Sequence, residues 1–244
     1  MRYLILTDLH ANLPALEAVL ADAATVNYDH VLVLGDLVGY GGDPAEVIDR
    51  TLALSPLTII RGNHDKVCSG LESPLLFNDV ARVAAEWTHS TLNAAHLQTL
   101  RELRQGPVQV PPEIEICHGS PFDEDYYVFD ESDAAQALDA ATARICLFGH
   151  THVPSLFATA DDPFGRETDV SGEFELPKTG PALINVGSVG QPRDRDPRAA
   201  YGVLDLARGT ILLRRVSYDI AAAQASIIEA GLPAWLALRL ERGQ

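Results

Sequence analysis

The segment YLILTDLHANLPALEAVLADAA (residues 3–24) decides the architecture. Its first run, YLILT (3–7), has strand length and is almost continuously apolar. Continuous apolarity, rather than alternation, predicts a strand buried on both faces, in a sheet covered by helices. The stretch NLPALEAVLADAA follows. It places Pro14 in a first helical turn and sets Leu13, Leu16, Leu20 and Ala23 on one helical face. VLVLG (31–35) reads as the next strand and completes a β-α-β unit. Pro44 opens a second helix, PAEVIDRTLAL, ahead of LTII (57–60). The runs IEIC (114–117), ICLFG (145–149) and ALINV (182–186) predict further buried strands. Residues 75–104 read as helical, with turns near Ser73-Pro74 and Asn93. The fold class is α/β.

The last third differs in texture. Residues 157–180, FATADDPFGRETDVSGEFELPKTG, are rich in Gly, Pro, Asp and Thr and predict a long hairpin loop or an insertion. YGVLDLARGTILLRRVSY (201–218) offers two strand-like runs about Ala207–Gly209, a hairpin signal, and two helices follow it. No internal repeat and no linker divides the chain, so residues 1–244 are expected to form one domain.

Composition narrows the class of partner. The 244 residues carry 34 acidic and 18 basic side chains, a formal charge of −16, which repels nucleic acid and anionic lipid. A small anionic substrate is still allowed, because local cations can reverse the field inside a cleft. Cys68, Cys117 and Cys146 are odd in number and lack C-x-x-C spacing, which favours reduced thiols over disulfides or a thiolate metal site. Asp8 interrupts the first apolar run, which is too short for a signal-peptide core, and no run reaches the roughly 18 apolar residues of a membrane helix. A soluble, cytoplasmic protein is expected, with homo-oligomerisation left open.

Chemistry gathers where the strands end. YLILT leads to Asp8 and His10, VLVLG to Asp36, LTII to Asn63, His64 and Asp65, IEIC to His118, and ICLFG to His150 and His152. Carboxyl ends of strands form the ligand crevice in open α/β sheets. Each delivery has a bland reading: Asp36 as a turn residue, Asn63 as a helix cap, a lone D-x-H as coincidence. Five in this order, all at strand ends, point to one site. Five of the eight histidines lie in these segments; His30, His89 and His96 do not, and read as structural or surface residues.

The ordered motifs D-x-H, G-D, G-N-H-D, H-G and G-H-T-H, from residue 8 to residue 152, resemble those of the calcineurin-like metallophosphoesterases. TDLHANLPALEAVL and NVGSVGQPRDRDPRAAY are further similar to the small bacterial and archaeal branch of YfcE-like phosphodiesterases. The resemblance implies a four-layer α-β-β-α sandwich of two mixed sheets with metals at one rim. It implies that Asp8, His10, Asp36 and His152 hold one ion, and that Asp36, Asn63, His118 and His150 hold a second, with Asp36 bridging. Imidazole, carboxylate and amide donors together suit manganese, with Fe, Ni, Co or Zn as alternatives, better than Mg. Two such ions clamp oxygens of an in-line displacement and supply hydroxide near neutral pH.

The implied activity is hydrolysis of a small phosphate ester, a diester in preference to a monoester, by metal-bound hydroxide. His64 resembles the histidine that protonates the leaving oxygen, with Asp65 able to orient its ring; the other reading is a residue that only braces Asn63. Arg193 and Arg195 lie after a Gly-Ser turn. Arg193 is the candidate for substrate phosphate, and ion pairing to Asp194 or Asp196 is the competing explanation. Tyr126, Tyr127 and Phe129 either stack on a base or aryl group or form a packed lid.

The sequence also departs from the pattern. The stretch after G-D is GDLVGYGGDP, without the arginine of Ser/Thr phosphatases and symmetrical dinucleoside tetraphosphatases, and G-N-H-D stands where those tend to have G-N-H-E. Both activities are therefore secondary alternatives. A non-catalytic protein-binding scaffold on this fold is another, and the acidic surface disfavours a nuclease.

Overall fold

The computed structural model describes residues 1–158 and 171–244. The opening segment folds as read. Strand β1 (Arg2–Leu6) runs into helix α1 (Leu13–Ala23), whose first turn is closed by Asn12 accepting from the Ala15 amide at 3.1 Å, and returns through β2 (His30–Val33). Helix α2 (Pro44–Leu52) then leads to β3 (Leu57–Ile59). Strands β1, β2 and β3 are mutually parallel.

A short helix α3 (Asn63–Cys68) follows β3 directly. The region read as helical over 75–104 is two helices, α4 (Asp79–Thr91) and α5 (Ala94–Glu102). They are broken at Asn93, whose side chain accepts from the His96 amide at 2.9 Å. A side-chain cap there ends one helix and starts the next. Strands β4 (Val108–Val110) and β5 (Ile114–Ile116), helix α6 (Glu131–Ala140), and strands β6 (Ile145–Phe148) and β7 (Ser155–Ala158) come next. After them come β8 (Gly172–Glu175), β9 (Ala182–Asn185), the hairpin β10 (Ala199–Asp205) and β11 (Thr210–Val216), and helices α7 (Ile220–Glu229) and α8 (Ala234–Leu238).

These strands form two mixed sheets, one of six strands in the order β3-β2-β1-β10-β11-β8 and one of five in the order β4-β5-β6-β9-β7. The layers follow from the period of two along each strand. Leu4, Leu6, Val31 and Val33 pack with Leu16, Val19 and Val47 of the outer helices. Tyr3, Ile5, Leu32 and Leu34 face inward and meet Ile114, Ile116, Ile145, Leu147 and Ile184 of the second sheet. Cys146, Phe148 and Leu183 point out again, onto Ala134 and Ala137 of α6. The result is the four-layer α-β-β-α sandwich. It explains why the central strands β1, β2, β6 and β9 are buried along nearly their whole length: both of their faces are covered.

The stretch 157–180, expected as a loop or hairpin, begins within β7 and contains β8, which sit in different sheets. Residues 159–170 between them lie outside the described residues. Cys68, Cys117 and Cys146 are buried free thiols. Among the described residues no helix is long and apolar enough to cross a membrane.

One polar junction ties α1 to the hairpin. Asp22 accepts from Tyr201 Oη at 2.7 Å and from Arg214 Nε and Nη2 at 3.0 and 2.7 Å, Tyr201 and Arg214 being cross-strand partners. Burial pushes the Asp22 carboxyl up, but the Arg214 and Tyr201 hydrogen bonds outweigh it and leave the pKa below its usual value. A depressed carboxyl stabilises the fold above the unfolded pKa of about 3.9, and that contribution is lost as pH falls through the folded value. Asp22→Asn is expected to cost about 1 kcal/mol at neutral pH, a charge-assisted pair discounted for partial exposure. The difference from wild type should shrink below pH about 4. Urea unfolding of both proteins at the two pH values checks this.

Candidate metal centre

The two sheets bring their strand ends to one rim. Leu6 pairs with Val33 in the β1–β2 register, so Asp8 and Asp36 leave the sheet side by side. The Asp8 amide donates to Gly35 O at 3.1 Å and the His10 amide to Asp36 O at 2.9 Å. From the second sheet, the Gly149 amide donates to His118 O at 2.8 Å and locks the ends of β5 and β6 together.

The loops that follow are sharply turned. Asp8, His10, Asp36, His150 and His152 have φ of 53°, 47°, 54°, 67° and 61°. Left-handed backbone at a non-glycine residue costs of order 1–3 kcal/mol and gathers at functional sites. It directs each side chain back over the rim. The neighbouring glycines are required by approach: a Cβ on Gly62 would strike the Asp36 carboxylate, and one on Gly149 would strike the Thr7 hydroxyl and the Asp8 carboxylate.

The outcome is two overlapping buried clusters. Asp8, His10, Asp36 and His152 each offer a ligand atom, all lying within 4.8 Å of one another, and Asp36, His118 and His150 do likewise. Asp36 is common to both. His10 Nε2 is 3.1 Å from His152 Nε2 and 3.5 Å from Asp36 Oδ2, and His152 Nε2 is 3.4 Å from Asp8 Oδ1. On the other side His118 Nε2 lies 3.4 Å from Asp36 Oδ2 and 3.2 Å from Asn63 Oδ1. The seven side chains expected to ligate are thus brought together.

Hydrogen bonds from behind set which ring nitrogen faces the cluster. Nδ1 of His10, His118 and His152 lies against the carbonyls of Val38, Leu34 and Gln191, at 3.1, 2.8 and 2.6 Å. A carbonyl only accepts, so Nδ1 must carry the proton; Nε2 of His10 and His152 then presents its lone pair. At His118 burial is outweighed by the Asp36 and Asp8 charges, which push the pKa up to about 10, so that a cation would have to displace its Nε2 proton. His150 is reversed: Nε2 donates to Asp125 O at 3.1 Å, which frees Nδ1.

The donor set fits divalent cations. Asp36 Oδ1 accepts from the His64 amide at 2.9 Å, whereas Oδ2, between the clusters, is buried without a hydrogen-bond partner. An unpaired buried carboxylate oxygen is costly, and a bridged pair of cations would satisfy it. Burial holds His10, His150 and His152 well below the usual imidazole pKa, in the neutral form a metal needs. Burial first, and the Asp36 charge besides, push the Asp8 carboxyl up to about 6. Two buried carboxylates this close favour a cation between them.

His64 stands beside the clusters. Its ring packs 4.3 Å from that of Tyr40, 4.7 Å from Phe77 and 5.0 Å from His10, and Nδ1 is buried without a partner. Asp65 does not orient this ring. Its carboxylate accepts from the Leu37, Val38 and Gly62 amides at 2.9, 3.3 and 3.0 Å, and so ties the turn after β2 to the start of α3.

The alternatives at Arg193 separate as well. Asp194 is paired to Arg215 and Asp196 to Arg198, whereas Arg193 Nη2 donates to Gln191 Oε1 at 3.0 Å and Nε is buried without a partner. Tyr127 stacks on His150 at 3.8 Å and on Phe129 at 5.3 Å, and Tyr126 Oη donates to Asp133. The aromatic loop thus packs onto a metal-cluster histidine. His30, His89 and His96 bond Thr58, Cys68 O and Asp49, away from the rim.

Several supporting residues carry no signal in the sequence reading: Tyr40 and Phe77, which wedge His64, and Gln191 and Asp125, which act through backbone carbonyls. NVGSVG is more legible in hindsight. Asn185 Nδ2 donates to Gly149 O at 2.8 Å and Ser188 Oγ to Asp8 O at 2.8 Å, so this turn fixes two of the site loops.

The chain belongs to the calcineurin-like phosphoesterase superfamily, whose domain model matches residues 1–209. It is 32% identical to an uncharacterized protein of Methanocaldococcus jannaschii, over 98% of this chain and 97% of that one. Among solved structures it resembles a metallophosphoesterase from Sphaerobacter thermophilus, with 40% identity, a TM-score of 0.88, and 100% and 99% of the two chains covered. A hypothetical protein from Pyrococcus horikoshii OT3 has the same fold, with a TM-score of 0.83 at 20% identity, covering 100% and 98%.

Proposed function

We propose that this protein is a dinuclear metal-dependent phosphoesterase acting on small phosphate esters, diesters in preference to monoesters. The observation that carries the reading is the shared Asp36, whose unpartnered Oδ2 lies between two buried donor clusters. Asp8, His10, Asp36 and His152 would hold one divalent ion and Asp36, Asn63, His118 and His150 the other, manganese being the favoured metal. When bound, the ions supply Lewis acidity and an activated water at neutral pH.

The chain's own residues supply the rest. Arg193, at the cleft edge with an unpaired Nε, is suited to a non-bridging phosphate oxygen. His64 is placed to give a proton to the leaving oxygen. Burial, with Arg193 and His118 besides, lowers its pKa to about 4, so the free protein holds it as neutral imidazole. An arriving phosphate anion favours the protonated ring. Its amide, not its ring, is what supports Asp36. A scaffold has no use for an exact set of facing lone pairs, so the enzyme reading is preferred.

The test is a panel of phosphomonoesters, phosphodiesters and nucleotides, each assayed with Mn²⁺, Ni²⁺, Zn²⁺ and Mg²⁺. The expected result is hydrolysis of a small diester, strongest with Mn²⁺ and weak with Mg²⁺. No turnover with any metal would leave the scaffold reading in its place.

A further inference from the structure

The four imidazoles of the metal centre are not backed alike. His10, His118 and His152 rest Nδ1 on the carbonyls of Val38, Leu34 and Gln191. His150 instead rests Nε2 on Asp125 O at 3.1 Å and stacks on Tyr127 at 3.8 Å. Both of these contacts come from the loop between β5 and α6, which has no helix or strand of its own. Inside the loop the Asp123 amide donates to Ser120 Oγ at 3.0 Å and the Asp125 amide to Asp123 Oδ1 at 2.9 Å. Those bonds shape the loop but do not attach it to the rest of the site.

Lys66 makes the attachment. It is a buried residue of α3, the helix that opens with Asn63. Its Nζ lies 2.7 Å from Asp125 Oδ2, 3.3 Å from Glu124 Oε1 and 2.7 Å from Glu72 Oε2. Arg61, just ahead of α3, holds Glu124 as well, Nε to Oε2 at 3.0 Å and Nη2 to Oε1 at 2.8 Å. Burial works against the Lys66 ammonium, but the hydrogen bonds to Asp125 and Glu72 outweigh it and raise the pKa, so the group stays charged. Charge-assisted bonds of this kind are the stronger polar contacts. Asp125 is thus gripped at both ends, its carboxylate by Lys66 and its carbonyl by His150. One short helix carries a candidate ligand, Asn63, and also anchors the backing of another, His150.

We propose that Lys66 is a positioning residue for the ion site of Asn63, His118 and His150: by holding Asp125 against α3 it fixes the carbonyl that makes His150 present Nδ1. This rests on the phosphoesterase reading above and deepens it, because one of the two sites then depends on a lysine that touches neither ion nor substrate. The backing carbonyls of His10 and His152 come from other segments, so the site they share with Asp8 is independent of Lys66.

The test reads the imidazole tautomers of the metal-free protein at neutral pH by long-range ¹⁵N–¹H NMR, then titrates the same protein with Mn²⁺ by calorimetry. In wild type His150 should be a single Nε2–H tautomer. Lys66→Met should turn His150 into a mixture of tautomers and leave His10 and His152 as they were. It should also weaken one of the two Mn²⁺ equivalents by about 10–100-fold, the usual cost of losing a partner that orients a metal-binding histidine. Asp125→Ala keeps the main-chain carbonyl and removes only its anchor; it should reproduce both effects, and the double variant should be no worse than either single one. It carries the test if Lys66→Met does not fold. A His150 that keeps one tautomer in both variants, or an equal weakening of both Mn²⁺ equivalents, would overturn the proposal and leave Lys66 a purely structural ion pair. Wild type that takes up no Mn²⁺ would overturn the phosphoesterase reading, and the role of Lys66 at a metal with it. The tautomer comparison, made without metal, tells that failure from a failure of the Lys66–Asp125 contact.

Discussion

Asp36→Ala is expected to abolish ester hydrolysis, by at least about 10³-fold, roughly 4 kcal/mol of transition-state stabilisation. The size follows from its position. Asp36 is the one residue common to both donor clusters, with Oδ2 unpaired between them and Oδ1 held by the His64 amide. Removing it withdraws a ligand from each proposed ion, so metal analysis should show both sites weakened. His10→Ala, by contrast, should weaken chiefly the site shared with Asp8 and His152. Asp36→Asn separates charge from shape, since the amide oxygen can still accept from the His64 backbone. It should resemble Ala in metal content while keeping the thermal midpoint closer to wild type. An Asp36→Ala protein that retains two ions and full turnover would show the ligand assignment to be wrong.

His64→Ala should keep both metals yet lower turnover by about 10²–10⁴-fold for esters with poor alkoxide leaving groups. Metal retention is expected because only the ring is lost, and the amide contact to Asp36 remains. For an aryl ester such as a p-nitrophenyl diester, whose leaving group needs little protonation, the loss should be much smaller. That difference is the signature of a proton donor. The ring does have structural contacts, with Tyr40, Phe77 and His10, so loss of packing is the rival cause. A packing defect would slow both esters alike. Equal losses would therefore reduce His64 to a bracing role.

Much of this was legible in the chain because the signals are local. Buried parallel strands read as uninterrupted apolar runs, and β1, β2, β3, β5, β6 and β9 were visible for that reason. Strands β4 and β8 were not, because they alternate, β4 about the exposed Gln109 and β8 between half-buried and exposed positions at the sheet edge; β7 lies in part inside the Gly-, Pro- and Asp-rich stretch read as a loop. The metal-ligand set was readable because every member ends a strand or opens the next turn. Its geometry was not, since left-handed backbone at Asp8, His10, Asp36, His150 and His152 leaves no mark in residue type.

One local expectation failed, and one alternative closed, for the same physical reason, competition for a side chain. Asp65 was expected beside the His64 ring, but three backbone amides claim its carboxylate. Ion pairing within its own loop was the competing explanation for Arg193, but Arg215 from β11 and the neighbouring Arg198 occupy those carboxylates.

The central claim is a pair of ions bridged by Asp36, and anomalous diffraction from crystals grown with Mn²⁺ tests it most directly. Two peaks about 3.5–4 Å apart, one against Asp8, His10 and His152 and the other against Asn63, His118 and His150, with Asp36 between them, is the predicted result. A single peak, or none at the rim, would contradict it.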